Sequence, residues 1–195
     1  MLKEKLKNHK IILASGSPRR QQFFKDLDLD FEIRLKDVEE IYPTHLKSFE
    51  ITNFLAELKA NAFESELLEN EILITSDTIV WHNNLPLGKP KNYNDAFEML
   101  NALSDSTHEV FTSFCIKTSN ESNTFNEVTK VTFNKLSLES IQYYLKNYQP
   151  YDKAGSYGIQ DWIGLIGVSK IEGSYTNVMG LPTAKVFAFL NDFKS

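Results

Sequence analysis

Apolar positions recur along this chain in short runs whose spacing switches between two and about three and a half residues. The run Ile11 to Ala14 stops at Ser15-Gly16-Ser17-Pro18 and reads as a buried strand, a tight turn and a helix start. Ser17 suits the N-cap and Pro18 the first helical position, with the helix running through Gln21 to Leu27. Phe31 to Leu35 alternates like a half-exposed strand and leads into the acidic turn Asp37-Val38-Glu39-Glu40. A helix follows from about Ser48 to Leu68, its stripe formed by Phe54, Leu55, Leu58, Ala62 and Phe63, with Lys59 off that stripe.

Glu71 to Val80 is an apolar strand broken by Ser76-Asp77-Thr78, and Asn83-Asn84 is a turn signal. The loop Leu87-Gly88-Lys89-Pro90 leads to a helix from about Asn94, its expected cap, to Leu103. Glu109 to Lys117 and Thr124 to Asn134 flank the polar segment Ser119 to Asn123 as an antiparallel hairpin, with Thr129, Val131 and Phe133 on one face. Ser137 caps a helix striped by Leu138, Ile141, Leu145 and Tyr148. A polar loop, Gln149 to Gln160, precedes an apolar region from Ile163 to Ile171, read as strand, and a last helix opened by Pro182. Strands alternating with helices, plus one hairpin, predict α/β architecture with a mixed sheet.

Composition narrows the class. A chain of 195 residues with 42% hydrophobic content fills one generous domain or two small lobes. A net charge of −5 without long like-charge blocks argues against a nucleic-acid binder, so any basic site is local. The single cysteine, Cys115, excludes an internal disulfide and lies in an apolar run, which fits a buried thiol and a reducing cytoplasm. The run Ile11 to Ala14 is too short for a signal-peptide core or a membrane span, so neither export nor insertion is expected.

The candidate chemistry begins at Arg19 and Arg20, which fall in a first helical turn, where the macrodipole disfavours cations. A bound anion reverses that sign. Gly16 admits close backbone approach, and Ser15, Ser17 and the helix N-terminus supply donors for phosphate. The same turn is also compatible with arginines in solvent or paired to nearby carboxylates. Asp77 interrupts an apolar strand, so it needs a cation, a metal or several N–H donors beside it; acceptance of backbone hydrogen bonds at a strand end is the structural alternative.

His9, His45, His82 and His108 form no close pair and there is no Cys-x-x-Cys, which argues against zinc. Magnesium on Asp77 and Glu40, completed by a substrate's phosphates, needs no dedicated cage. No Walker-type loop, nucleophile elbow or Rossmann fingerprint is present. Asp77, Glu40, Lys59, Lys89 and Arg19 are the residue types that in-line displacement on phosphate requires, and their convergence in space is the expectation.

Several stretches, in order along the chain, match one family: Ala14-Ser15-Gly16-Ser17-Pro18-Arg19-Arg20, Glu39-Glu40, Lys59-Ala60, Ser76-Asp77-Thr78, Gly88-Lys89-Pro90, Leu103-Ser104, Asp152-Lys153-Ala154-Gly155, Tyr157-Gly158-Ile159-Gln160, Gly173-Ser174-Tyr175 and Gly180-Leu181-Pro182. The chain thereby resembles the Maf family of nucleoside triphosphate pyrophosphatases over nearly its whole length. The resemblance implies a single domain over 1–195, a mixed twisted sheet flanked by helices, and two lobes around a central cleft. That fold is related to inosine triphosphate pyrophosphatase, usually as a homodimer.

The resemblance also implies hydrolysis of a nucleoside triphosphate to monophosphate and pyrophosphate with a divalent metal, Mg2+ or Mn2+. Asp77 matches the proton acceptor and Glu40 an acid near the metal, while Ser15, Arg19, Lys59 and Lys89 match the phosphate-facing set, with Arg20 beside them. The Asp-Thr pair and Tyr-Gly-Ile-Gln look like the branch acting on dTTP and UTP, with Arg19, Thr78 and Gln160 at the specificity positions. A glutamine amide offers a donor and an acceptor to a uracil or thymine edge. The competing expectation is a non-catalytic nucleotide-binding regulator of cell division. Asp105, Ser113 and Gln149 depart from the family's usual residues, Ser113 standing in a strand where glycine is frequent.

Overall fold

The computed structural model describes residues 2–193. One seven-stranded sheet has the order β2-β1-β3-β5-β6-β7, formed by Phe31–Ile33, Lys10–Leu13, Glu71–His82, Thr107–Lys117, Ser122–Phe133 and Val168–Glu172, while β4 (Leu85–Leu87) pairs with β3. β1 runs parallel to β2 and β3, whereas β4 on β3 and β7 on β6 are antiparallel, so the sheet is mixed as expected. β3 is one continuous strand, and Ser76-Asp77-Thr78 sits inside it without breaking it. Asn83 and Asn84 both take positive φ, 50° and 62°, the conformation a two-residue turn back into β4 demands.

The helices are α1 (Leu2–Lys5), α2 (Pro18–Asp26), α3 (Phe49–Asn61), α4 (Tyr93–Leu103), α5 (Leu138–Tyr148), α6 (Trp162–Gly167), α7 (Tyr175–Val178) and α8 (Thr183–Asp192). The chain divides into two compact units. The first holds the residues up to Asp77, Thr112–Glu127 and those from Gly180 on; the second holds Thr78–Phe111 and Val128–Met179.

In the first unit, alternation along the strands sends side chains to opposite faces of the sheet. Ile11, Leu13, Ile72, Ile74, Phe114 and Ile116 pack with Phe24 of α2 and with Leu181, Val186 and Leu190 at and within α8. Ile12, Leu73 and Cys115 point the other way, onto Ala56 and Ala60 of α3 and onto Phe63. The second unit has its own core, in which Val80, Val110, Val131 and Phe133 meet Leu100 and Leu103 of α4 and Ile141, Tyr144 and Leu145 of α5.

Several sequence expectations change. α3 stops at Asn61 rather than Leu68, because Glu64, Ser65 and Glu66 offer no apolar face and Leu68 is left exposed. Its buried stripe is Ile51, Thr52, Leu55, Ala56 and Ala60, which brings Lys59 to the margin of the buried face. The cap of α4 is Asn92, whose side chain accepts from the Asp95 amide, not Asn94. On α5, Tyr144 is buried while Leu138 and Tyr148 are exposed.

The segment from Ile163 was read as strand, yet it is helical to Gly167 and only then becomes β7. Gly164 explains the tight seat of α6: a Cβ there would lie 2.0 Å from the Ile159 carbonyl oxygen. Gly155 is also required, since its φ is +67° and a Cβ would strike Val80 at 2.8 Å.

Candidate active site

The turn between β1 and α2 is built around Ser15. Its buried hydroxyl accepts from the Ser17 amide at 3.3 Å and from Nη1 of Arg20 at 3.4 Å. Ser17 holds the N-cap position of α2 without a side-chain capping bond, so Ser15 supplies the local hydroxyl contact that the sequence assigned to Ser17. No acidic residue lies in the first turn of α2, the end at which the macrodipole disfavours the cations Arg19 and Arg20. At Gly16 a Cβ would meet only Leu35 Cδ1, at 3.8 Å. A side chain would therefore be accommodated there in ordinary van der Waals contact.

Arg20 reaches further than a surface arginine would. Its Nε donates to the Gly180 carbonyl at 2.7 Å and its Nη1 to the Ser76 carbonyl at 2.9 Å, tying the turn to the strand that carries Asp77. Desolvation pushes Arg20 down to about 10, and Asp77 and Glu40 oppose the shift, so it stays cationic at neutral pH. Both carboxylates thus lie within the electrostatic reach of this guanidinium.

Lys59, on α3, is the hub. Its Nζ donates to Asp77 Oδ1 at 2.6 Å and pairs with Glu40 Oε1 at 2.8 Å. Asp77, buried in β3, has the cation that its position in an apolar strand demanded. Glu40 arrives from the extended segment that follows β2, so residues far apart in sequence share one ammonium group. Both side chains of the Lys59–Asp77 pair are largely shielded from solvent, 18% and 11% exposed, which keeps the pair less screened than a surface bridge.

Oxygen donors are what a hard divalent cation prefers, and two carboxylates reaching a single point fit it. Among the described residues no group of three or more His, Cys, Asp or Glu is placed to hold a metal. A divalent cation at Asp77 and Glu40, the acids now bridged by Lys59, would need its remaining ligands from water or from a bound phosphate.

The first unit thus holds two bonded groups, Ser15–Arg20 and Glu40–Lys59–Asp77, linked by the bond of Arg20 to the Ser76 carbonyl, with Arg19 in the first turn of α2. Thr78, half-buried, follows Asp77 along β3 and belongs to the second unit with Lys89 and Gln160. Lys89 is exposed in the loop between β4 and α4, beside Gly88, where a Cβ would meet nothing within 4 Å. The Gly88 carbonyl accepts from the Gly155 amide, which fixes that loop to the Asp152-Lys153-Ala154-Gly155 segment.

Gln160 ends the loop before α6, and its side-chain carbonyl is buried without a hydrogen-bond partner. The loop is held from below by Tyr144, whose hydroxyl donates to Asp161 at 2.7 Å and accepts from the Gly158 amide at 3.1 Å. Burial and the bond to Asp161 push the Tyr144 hydroxyl well above its usual range. Sequence reasoning quoted Ser76 and Gly180 within the matched stretches but gave them no role, whereas their carbonyls seat Arg20; backbone acceptors leave no compositional trace. It also treated Ser113 only as a departure, although its hydroxyl contacts Thr52 and Asn53 of α3.

The family model described as Maf-like protein matches residues 10–193. A dTTP/UTP pyrophosphatase of Flavobacterium johnsoniae is 73% identical over 97% of this chain and 98% of its own, and one of Flavobacterium psychrophilum is 65% identical over 97% of each. A dTTP/UTP pyrophosphatase of Christiangramia forsetii is 53% identical over 98% of each chain. Among solved structures, the Staphylococcus aureus Ham1 protein aligns with a TM-score of 0.50 over 92% of this chain and 98% of its own at 16% identity, a likeness of fold alone. A serine–arginine turn, a lysine shared by two acids and matches spanning almost the full length agree on one assignment: this chain belongs to the Maf-like protein family.

Proposed function

We propose that this protein hydrolyses dTTP and UTP between the α and β phosphates, giving the nucleoside monophosphate and pyrophosphate, with Mg2+ or Mn2+. The observation that carries the reading is Lys59 Nζ shared between Asp77 and Glu40 beside the Ser15–Arg20 turn. Relatives named dTTP/UTP pyrophosphatase, up to 73% identical over almost the whole chain, support the same reaction and substrates. A divalent cation held by Asp77, Glu40 and the substrate's own phosphates would neutralise phosphate oxygens.

The chain's own residues do the rest. Ser15, Arg19, Lys59 and Lys89 bind phosphate oxygens, and Arg20 holds the turn against β3 while adding positive charge to the site. Asp77 takes the proton from a water that attacks the α phosphorus. The bond from that phosphorus to the bridging oxygen breaks, and pyrophosphate leaves with the electron pair. Thr78, Arg19 and the Gln160 amide select the base. Cys115, free and buried, accords with work in a reducing cytoplasm.

The test is incubation of the protein with a panel of canonical and modified nucleoside triphosphates and Mg2+ or Mn2+, with pyrophosphate and orthophosphate resolved separately. Pyrophosphate with dTMP or UMP as the main products is expected. Orthophosphate with a nucleoside diphosphate would mean that a different bond is cut.

A further inference from the structure

We infer that Ser113 is a positioning residue that sets the register of α3 on the sheet and thereby the contact of Lys59 with Asp77. The kinetic part of the inference rests on the reading proposed above; the structural part does not.

The face of the sheet beneath α3 is unusually polar. Thr75 and Asp77 of β3 and Ser113 and Lys117 of β5 are buried, and each bonds to α3 or its backbone. Near the start of the helix, Ser113 Oγ donates to Asn53 Oδ1 at 2.7 Å and lies 2.6 Å from Thr52 Oγ1. In the middle, Thr75 Oγ1 donates to the Ala56 carbonyl at 2.7 Å, and at the end Lys117 Nζ donates to Asn61 Oδ1 at 2.8 Å. Between these anchors α3 presents the small side chains Ala56 and Ala60 to Ile12, Leu73 and Cys115 of the sheet. Apolar burial is non-directional and small side chains interlock weakly, so the hydrogen bonds decide where the helix stops along its axis.

Lys59 lies three residues beyond Ala56 and Asp77 two residues beyond Thr75, so any slide of α3 changes the 2.6 Å contact directly. Ser113 joins both carriers of that pair. Its side chain holds α3, while its carbonyl accepts from Ser76 Oγ at 2.8 Å, immediately before Asp77. Ser113 gives its one hydroxyl proton to Asn53 and accepts from Thr52, whose single proton is shared between Ser113 at 2.6 Å and the Phe49 carbonyl at 3.1 Å; a glycine at this position would remove both side-chain contacts.

The test compares Ser113→Ala, Thr52→Val and Thr52→Ser. Two quantities are read: steady-state UTP hydrolysis, and the acylation rate of Lys59 in nucleotide-free, metal-free protein, followed by peptide mass spectrometry against exposed Lys146. Ser113→Ala and Thr52→Val should each lower kcat about tenfold with KM within about twofold, and raise Lys59 acylation several-fold, while Thr52→Ser stays near the wild type. If Ser113→Ala and Thr52→Val lower the melting temperature but leave kcat and Lys59 acylation unchanged, Ser113 only packs the helix and the inference is overturned. Should Ser113→Ala fail to fold, Thr52→Val alone decides. If the wild type hydrolyses no nucleotide, the proposed function fails, and the acylation comparison still decides this inference.

Discussion

Lys59 carries the site's electrostatics because its ammonium contacts both acids. Replacing it by methionine keeps most of the apolar stem but leaves Asp77 and Glu40 facing each other beside Arg20. Hydrolysis should fall by about 10² or more in kcat/KM, the scale expected when a cation aimed at transferring phosphate is removed; a nucleotide assay on the purified variant checks it. Arg20 does a different job. The sequence placed it with the substrate-binding residues, whereas its guanidinium is committed to the Gly180 and Ser76 carbonyls as well as Ser15.

At the scale of elements, β3 begins on a charged residue that is nonetheless buried. Glu71 is held by Arg34 through paired bonds at 2.8 and 3.1 Å and accepts from the Leu68 amide, so its carboxyl titrates below the ordinary range. Glu71→Gln leaves the Arg34 charge to Glu32 alone and should cost about 1.5 kcal/mol in urea unfolding. Because Asp77 lies six positions along the strand, hydrolysis at low temperature should survive the same change. His108, at the start of β5, is buried against Tyr157 and Phe133, and desolvation, with a smaller contribution from His82, brings it down to about 3.

The folded protein then binds fewer protons at His108 than the unfolded chain between about pH 6.5 and pH 3, so stability falls as pH drops through that window. The slope is at most about 1.4 kcal/mol per pH unit, and His108→Gln should remove it in urea titrations at successive pH values. The alternation of strands and helices, the Asn83-Asn84 turn and the Ser137 cap were all legible, because each rests on local periodicity or turn chemistry. The helical run Trp162–Gly167 was not, since six apolar and glycine residues carry no period and its seat on Ile159 is a tertiary contact. Lys59 was misplaced for a related reason: the buried side of α3 includes Thr52 and small alanines, which a search for large apolar residues passes over.

For the molecule as a whole, a net charge of −5 coexists with a cationic turn. Asp77, Glu40 and Lys59 were recognisable as chemistry-bearing types, but only the fold joins them, since they come from a strand, an extended segment and a helix. A ligand that binds this folded arrangement and not the unfolded chain must stabilise the protein. A non-hydrolysable UTP analogue with Mg2+, at a hundred times its dissociation constant, should add about 2.7 kcal/mol and raise the melting temperature by roughly 5–10 °C. Pyrophosphate with Mg2+ should give a smaller rise, because it lacks the base.

Pyrophosphate release from UTP by Asp77→Asn, compared with the wild type at equal concentration and matched melting temperature, tests the central assignment most directly. The amide keeps the shape of the side chain but cannot take a proton, so turnover should fall by about 10²–10⁴ while the protein stays folded. Release at the wild-type rate would contradict the assignment, because the proton would then be leaving by a route that does not involve Asp77.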